Sequence, residues 1–253
     1  MAPYNSIAER NVYDERLAFV RKLLAAKQNV VSFVDKHLGW DGEAQYDGLF
    51  KGSFNICMDV RRGGTGEHVV SGSPLLAKFT KRWREEKVRN EVAVMEYLRE
   101  HSSIPVLRVR CWRSSTDDGP QNLGPFIIMD LVEGQELSSI IQQPNQDPKE
   151  PLRLDLNIDE ASLDTIYDQI AGYLLEISSL LFPRIGAISK DAATNAWAVI
   201  SRPLTYDMNE LVTFGEVSAT SFDSLGAFCT AHDFFLWCAR CLQEHLAAQR
   251  NIV

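Results

Sequence analysis

The chain has 253 residues, 45% of them hydrophobic and 24% charged, with a formal net charge of -8. That balance fits a globular protein with a large core, and its acidic excess argues against nonspecific binding to nucleic acid or anionic membrane. No apolar run reaches 18 residues, and Met1-Ala2-Pro3-Tyr4-Asn5 lacks a basic segment leading into an apolar one, so a cytoplasmic protein with no membrane span is expected.

Residues 1 to about 40 read as helical, with Leu17, Val20, Leu23, Leu24 and Val31 as the inward stripe and an end near Gly39. The next stretch reads as strand, hairpin turn and strand. Leu49 to Asn55 leads into the apolar run Ile56 to Val60. Gly63-Gly64-Thr65-Gly66 marks a turn, and Leu75-Leu76-Ala77-Lys78-Phe79 a further strand. Glu85 to Glu100 is a helix with Val88, Val92, Met95 and Leu98 on one face, and it stops before Ile104-Pro105 because the residue before proline avoids helical angles. Val106 to Trp112 alternates like a strand, Ser114 to Gly124 is a polar loop, Phe126 to Met129 is a buried strand and Glu133-Gly134 a turn.

Beyond residue 135 the pattern turns helical. Gln142 to Asp155 is a polar linker. Asp159 is a candidate N-cap for a helix striped by Leu163, Ile166, Ile170, Leu174, Ile177 and Leu181. A loop region holding Pro183, Pro203 and Gly215 follows. The last helix carries Leu225, Phe228, His232, Phe235, Ala239, Leu242 and Leu246 at spacings of three and four, which places His232 on the core side.

Five cysteines (Cys57, Cys111, Cys229, Cys238 and Cys241) are an odd number at irregular spacing, not a disulfide framework. Cys238, Cys241 and His245 share a helix face, but a structural zinc site wants a fourth ligand. They are expected to be packing residues, without tightly bound zinc.

The chemistry-bearing pair is Lys78 and Glu91. Glu91 sits on the apolar stripe of its helix, and a carboxylate there is costly unless a cation meets it. Lys78, on the strand just upstream, is the expected cation. A strand lysine paired with a helix glutamate is how kinase-like enzymes hold nucleotide phosphates. Gly52, Ser53, Phe54 and Asn55 form the candidate phosphate loop, since glycine lets backbone N–H groups approach an anion closely. Leu76 shares the Lys78 face and can cover a base. Met129, Asp130 and Val132 form the candidate hinge beside an adenine edge. Neither a Walker A pattern nor GxGxxG occurs.

Several of these stretches resemble the aminoglycoside phosphotransferase family, in particular its fungal branch. They are Leu49 to Asn55, Glu85 to Met95, Ile104-Pro105-Val106, Pro125 to Asp130, Val132-Glu133-Gly134 and Arg202 to Leu211, within a span of about residues 46 to 250. The resemblance implies an α+β, protein-kinase-like fold. Its parts would be a helical segment (1–40), an N-lobe of small antiparallel sheet and one main helix (41–134), and a partial helical C-lobe (135–253). It also implies ATP with magnesium, transfer of phosphate to a small-molecule hydroxyl, and a Lys78 that touches phosphates while Glu91 orients it.

The chain departs from that family at the catalytic loop. The family places an acidic base there, often after His-Gly, with an asparagine a few residues on and a second acidic residue for magnesium. His232-Asp233 is the sole His-Asp pair, no asparagine follows it in place, and no DFG-like triplet occurs. The expectation is a family domain cut short before that loop, with no catalytic residue, no magnesium ligands, weak or no ATP binding, and apolar helix surface left open. The alternative is a pseudokinase-type module that binds a nucleotide or a partner without chemistry.

Overall fold

The N-terminal helical segment is two helices, α1 (Ser6–Ala25) and α2 (Lys27–Leu38). The structure, a computed structural model, describes residues 6–52, 54–74, 79–113, 122–147, 150–151 and 153–248. Phe19, Leu23, Ala26, Val30, Val31 and Val34 recur at spacings of one to four and are all buried. Leu17 and Leu24, expected inward, are exposed. Within α1 the buried face runs through Phe19 and Leu23 instead. Gly39 ends α2 at φ 65°, a left-handed conformation that favours glycine, and its N–H donates to the Asp35 carbonyl. The Asp35 carboxylate then accepts from the N–H groups of Gly42 at 2.9 Å and Ala44 at 3.0 Å, which ties the helix end to the first strand.

Five strands follow: β1 (Ala44–Lys51), β2 (Asn55–Arg62), β3 (His68–Pro74), β4 (Val109–Arg113) and β5 (Phe126–Asp130). They form one antiparallel sheet in the order β1-β2-β3-β5-β4. Strand alternation divides its faces. Ile56, Met58 and Val60 point into the core shared with α1 and α2, together with Val69 and Ile128. The opposite face is covered by α3 (Arg84–His101), whose Val88 and Val92 pack on Ile127 beside Val109, Trp112 and Met129. The strand expected over Leu75–Phe79 is corrected in part. The strand pairing with β2 starts at His68, and Phe79 lies in a bend, while residues 75–78 lie outside the described residues.

The second half mixes helix and sheet, which corrects the wholly helical expectation. After α4 (Leu137–Ile141) and α5 (Glu160–Ser179), β6 (Ala187–Lys190) pairs with β7 (Trp197–Ser201). The hairpin between them is shaped by Asp191, whose carboxylate accepts from the N–H groups of Ala193 and Thr194, and by Asn195 at φ 55°. Then come α6 (Tyr206–Thr213), a 3-10 turn (Ala219–Phe222) and α7 (Ala231–Ala248). Phe79, Trp83, Met208, Leu211, Val217, Phe222 and Cys241 make the core of this half.

Two stripes need correction. On α7, His232, Phe235, Leu242 and Leu246 are exposed, whereas Cys241 and His245 are buried and Trp237 is half-buried. On α5, no residue is buried, and Ile170, Leu174 and Ile177 of its expected inward stripe are exposed. No helix among the described residues is long and apolar enough to cross a membrane.

Candidate functional site

The β1–β2 hairpin closes on Gly52, whose N–H donates to the Asn55 carbonyl at 3.0 Å. Its tip leans across to the second half of the chain: the Phe54 and Tyr206 rings meet edge to face, their centroids 5.8 Å apart. Beneath the hairpin, between the sheet and α3, a crevice is lined by Asn55, Cys57, Gly72, Val88, Glu91, Ile127 and Met129. Gly72 keeps its floor clear, since a Cβ there would stand 3.2 Å from the Cys57 sulfur.

A three-member polar ring occupies the crevice mouth. The Lys87 Nζ donates to Glu91 Oε2 at 2.6 Å and to Asn55 Oδ1 at 2.9 Å. Asn55 Nδ2 donates to Glu91 Oε1 at 3.5 Å. Lys87 and Glu91 stand one helical turn apart on α3. Their side chains are 14% and 31% exposed, so the pair is screened far less than a surface pair. The ammonium also lies 5.9 Å from the centre of the Phe79 ring. Among the described residues Glu91 Oε1 accepts one long hydrogen bond, from Asn55. Burial, and after it the Glu91 carboxylate, pushes the Cys57 thiol up from its ordinary range. It is therefore a neutral lining group rather than a thiolate nucleophile.

Of the residues singled out from the sequence, Asn55, Glu91 and Met129 meet in this crevice. Gly52 and Phe54 form the hairpin tip over it. Ser53, Leu76 and Lys78 lie outside the described residues, and so does the expected Lys78–Glu91 pair. Among the described residues the cation on Glu91 is Lys87, which the sequence reading did not single out. The candidate hinge is committed elsewhere in part. The Asp130 N–H donates to the Arg108 carbonyl and the Leu131 N–H to the His68 carbonyl. The Asp130 carboxylate accepts from Arg110 Nε at 2.5 Å, and Val132 is exposed.

The crevice side of α3 is anchored to the second half by a buried cation. Arg202 Nη2 donates to Glu86 Oε2 at 2.6 Å, and the guanidinium stacks 5.0 Å from the Trp83 ring centre. Burial pushes the Glu86 carboxyl up, against the pull of Arg202 and Arg89. Nearby, the buried Asn209 Oδ1 accepts from the Thr80 N–H at 2.9 Å. On α7, His245 Nδ1 faces the Gly215 carbonyl at 3.3 Å, and burial pushes the Cys241 thiol up to about 11.

No protein-family model matches the sequence, and no curated protein matches it either.

Proposed function

We propose that this chain is a kinase-like domain similar to the aminoglycoside phosphotransferases, that its crevice faces ATP, and that the chain as it stands does not transfer phosphate. The observation that carries the reading is Glu91. Its carboxylate leans from α3 toward the sheet, under a glycine-closed hairpin, in a crevice also lined by Asn55 and Met129. The element order supports it as well: a three-stranded meander, then one helix, then a two-stranded hairpin whose second strand inserts beside β3. In such a site the carboxylate orients an ammonium toward phosphate oxygens, and the hairpin backbone closes over them. Turnover is not expected because magnesium ligands and a positioned acidic group supply most of the rate in phosphoryl transfer. The sole His-Asp pair, His232-Asp233, lies at the exposed start of α7.

The test is a fluorescent ATP analogue titrated into the pure protein with magnesium and displaced by unlabelled ATP. Weak saturable binding, further weakened several-fold by Glu91→Gln, is the expected result. Absence of displacement at millimolar ATP would remove the nucleotide reading. A coupled assay that detects ADP release, abolished by Lys78→Ala, would overturn the claim of inactivity and make Asp130, Asp191 and Asp207 the first acidic residues to mutate.

The second reading is a module that binds a partner without chemistry. The exposed apolar residues of α5 and α7 favour it.

A further inference from the structure

Asp47, Asp59 and His68 converge on the sheet face that also carries Cys57, at the far end of β2 from Asn55, and their ligand-type atoms all lie within 4.8 Å of one another. Each comes from a different strand. Asp59 on β2 and His68 on β3 share a face because Asp59 pairs with Val70 and Arg61 with His68. Asp47 is the extra residue where the β1 register slips between Tyr46 and Gly48. Such a bulge re-aims one side chain. Gly48 stands opposite Asp59 across the β1–β2 pair.

Among the described residues no lysine or arginine pairs with Asp47 or Asp59; their ion-pair partner is His68. The Asp59 side chain is 6% exposed, and its partner is His68 Nδ1 at 3.2 Å. The same nitrogen faces Asp47 Oδ2 at 3.8 Å. The hydrogen bond of that nitrogen goes to Asp59, and Asp47, at 3.8 Å, lies beyond hydrogen-bond reach of it. The neighbouring cations are committed elsewhere. Arg62 pairs with Glu43, Arg110 with Glu67 and Asp130, and Arg61 donates to Gln45. A carboxylate this buried, met by no full cation among the described residues, is costly.

We infer that Asp47, Asp59 and His68 form a binding site for a first-row divalent cation of the zinc type. The nitrogen-to-oxygen separations of 3.2 and 3.8 Å bracket the edge of a tetrahedron built on metal–ligand bonds of about 2.05 Å, roughly 3.3 Å. One imidazole nitrogen with two carboxylates is a donor set that zinc accepts, with a fourth position left for water. Asp47, whose side chain is 41% exposed, is the solvent-facing ligand through which the ion enters. The site is independent of the nucleotide reading.

The test uses the full chain stripped with EDTA, titrated with zinc chloride by calorimetry, and with cobalt(II) to read coordination by visible absorption. One equivalent of zinc is expected, at least tenfold weaker in Asp59→Asn and His68→Gln, with a cobalt spectrum of nitrogen and oxygen ligands. Asp47→Asn, at the most exposed ligand, keeps the test valid if the buried variants unfold, and it too should weaken binding tenfold. Cys238→Ser should change nothing. The inference is overturned by no stoichiometric uptake, even if His68→Gln lowers the melting temperature, because that result describes an ion cluster only. Zinc binding untouched by Asp47→Asn, or lost in Cys238→Ser, overturns it equally.

Discussion

Lys87 holds the crevice together at the level of single residues. Its ammonium is shared by Glu91 and Asn55, so Lys87→Met leaves a partly buried carboxylate with one long amide hydrogen bond. The loss should be about 2 kcal/mol, between exposed pairs and fully buried ones. Urea unfolding at neutral pH measures it. Adding Glu91→Gln to the Lys87→Met chain should recover part of that loss, which a double-mutant cycle reads directly. This pair shows how far sequence reading reaches. The need for a cation on Glu91 was legible, because the carboxylate falls on an apolar stripe. The identity of the cation was not, because a lysine one turn away looks like a solvent-facing residue until its burial is known. Cys241 gives a pH-dependent prediction at the same scale. Burial holds its proton up to about 11, whereas an ordinary thiol releases it near 9.0. Between those values the unfolded chain binds fewer protons than the folded one, so stability falls as pH rises. Melting temperature should drop more steeply from pH 9 to 11 in the natural chain than in Cys241→Ala, and parallel curves would assign the drop to other groups.

Elements are joined here by a few buried polar contacts, Arg202 among them. It links the loop before α6 to Glu86 on α3 and stacks on Trp83. Arg202→Ala leaves Glu86 without that cation and removes the stacking, at a cost of about 3 kcal/mol. Arg202→Lys should recover less than half, because an ammonium has no planar face to lay on the indole. The Glu86 carboxyl is already pushed up by burial, and losing Arg202 raises it further. A carboxyl raised in the fold favours folding when protonated, and that contribution is lost as pH rises through the raised value. The deficit of Arg202→Ala should therefore shrink in acid, as unfolding curves at acidic and neutral pH will show. Gly215 is the second joint: a Cβ there would stand 2.7 Å from the Leu211 carbonyl and 2.6 Å from His245. Gly215→Ala should force α6 and α7 apart and lower the melting temperature by several degrees. Which elements could be read in advance follows from the same physics. Asp159 was legible as an N-cap, and its carboxylate does accept from the Ser162 N–H at 2.8 Å. β6 and β7 were not, because strands of four and five residues leave too short a period to separate from loop. The α7 face was misread because that helix is apolar on more than one side, so spacing alone admits two inward faces.

Across the whole molecule the two halves are unequally covered. The sheet is packed on one face by α1 and α2 and on the other by α3, whereas α5 buries no residue at all. Leu174, Leu175 and Tyr167 on α5 are each at least 62% exposed, and Phe235, Leu242 and Leu246 on α7 at least 63%. Scattered apolar residues on a surface need no explanation, but several per helix on two helices form a surface that water tolerates poorly. On both helices the exposed residues include ones that the sequence pattern turned inward: Leu174 on α5, and Phe235, Leu242 and Leu246 on α7. Leu175→Lys, Leu242→Glu and Leu246→Lys together remove much of this apolar surface while touching no buried side chain. If these faces are open in solution, the triple variant should keep its unfolding free energy within about 0.5 kcal/mol per substitution. It should also bind less of a hydrophobic dye such as ANS and scatter less light on concentration. A loss above about 3 kcal/mol, with dye binding unchanged from the natural chain, would mean that the leucines are covered in solution, since surface changes away from packed contacts rarely cost so much. Sedimentation of the natural chain over a range of concentrations would then tell self-association from a rearranged fold.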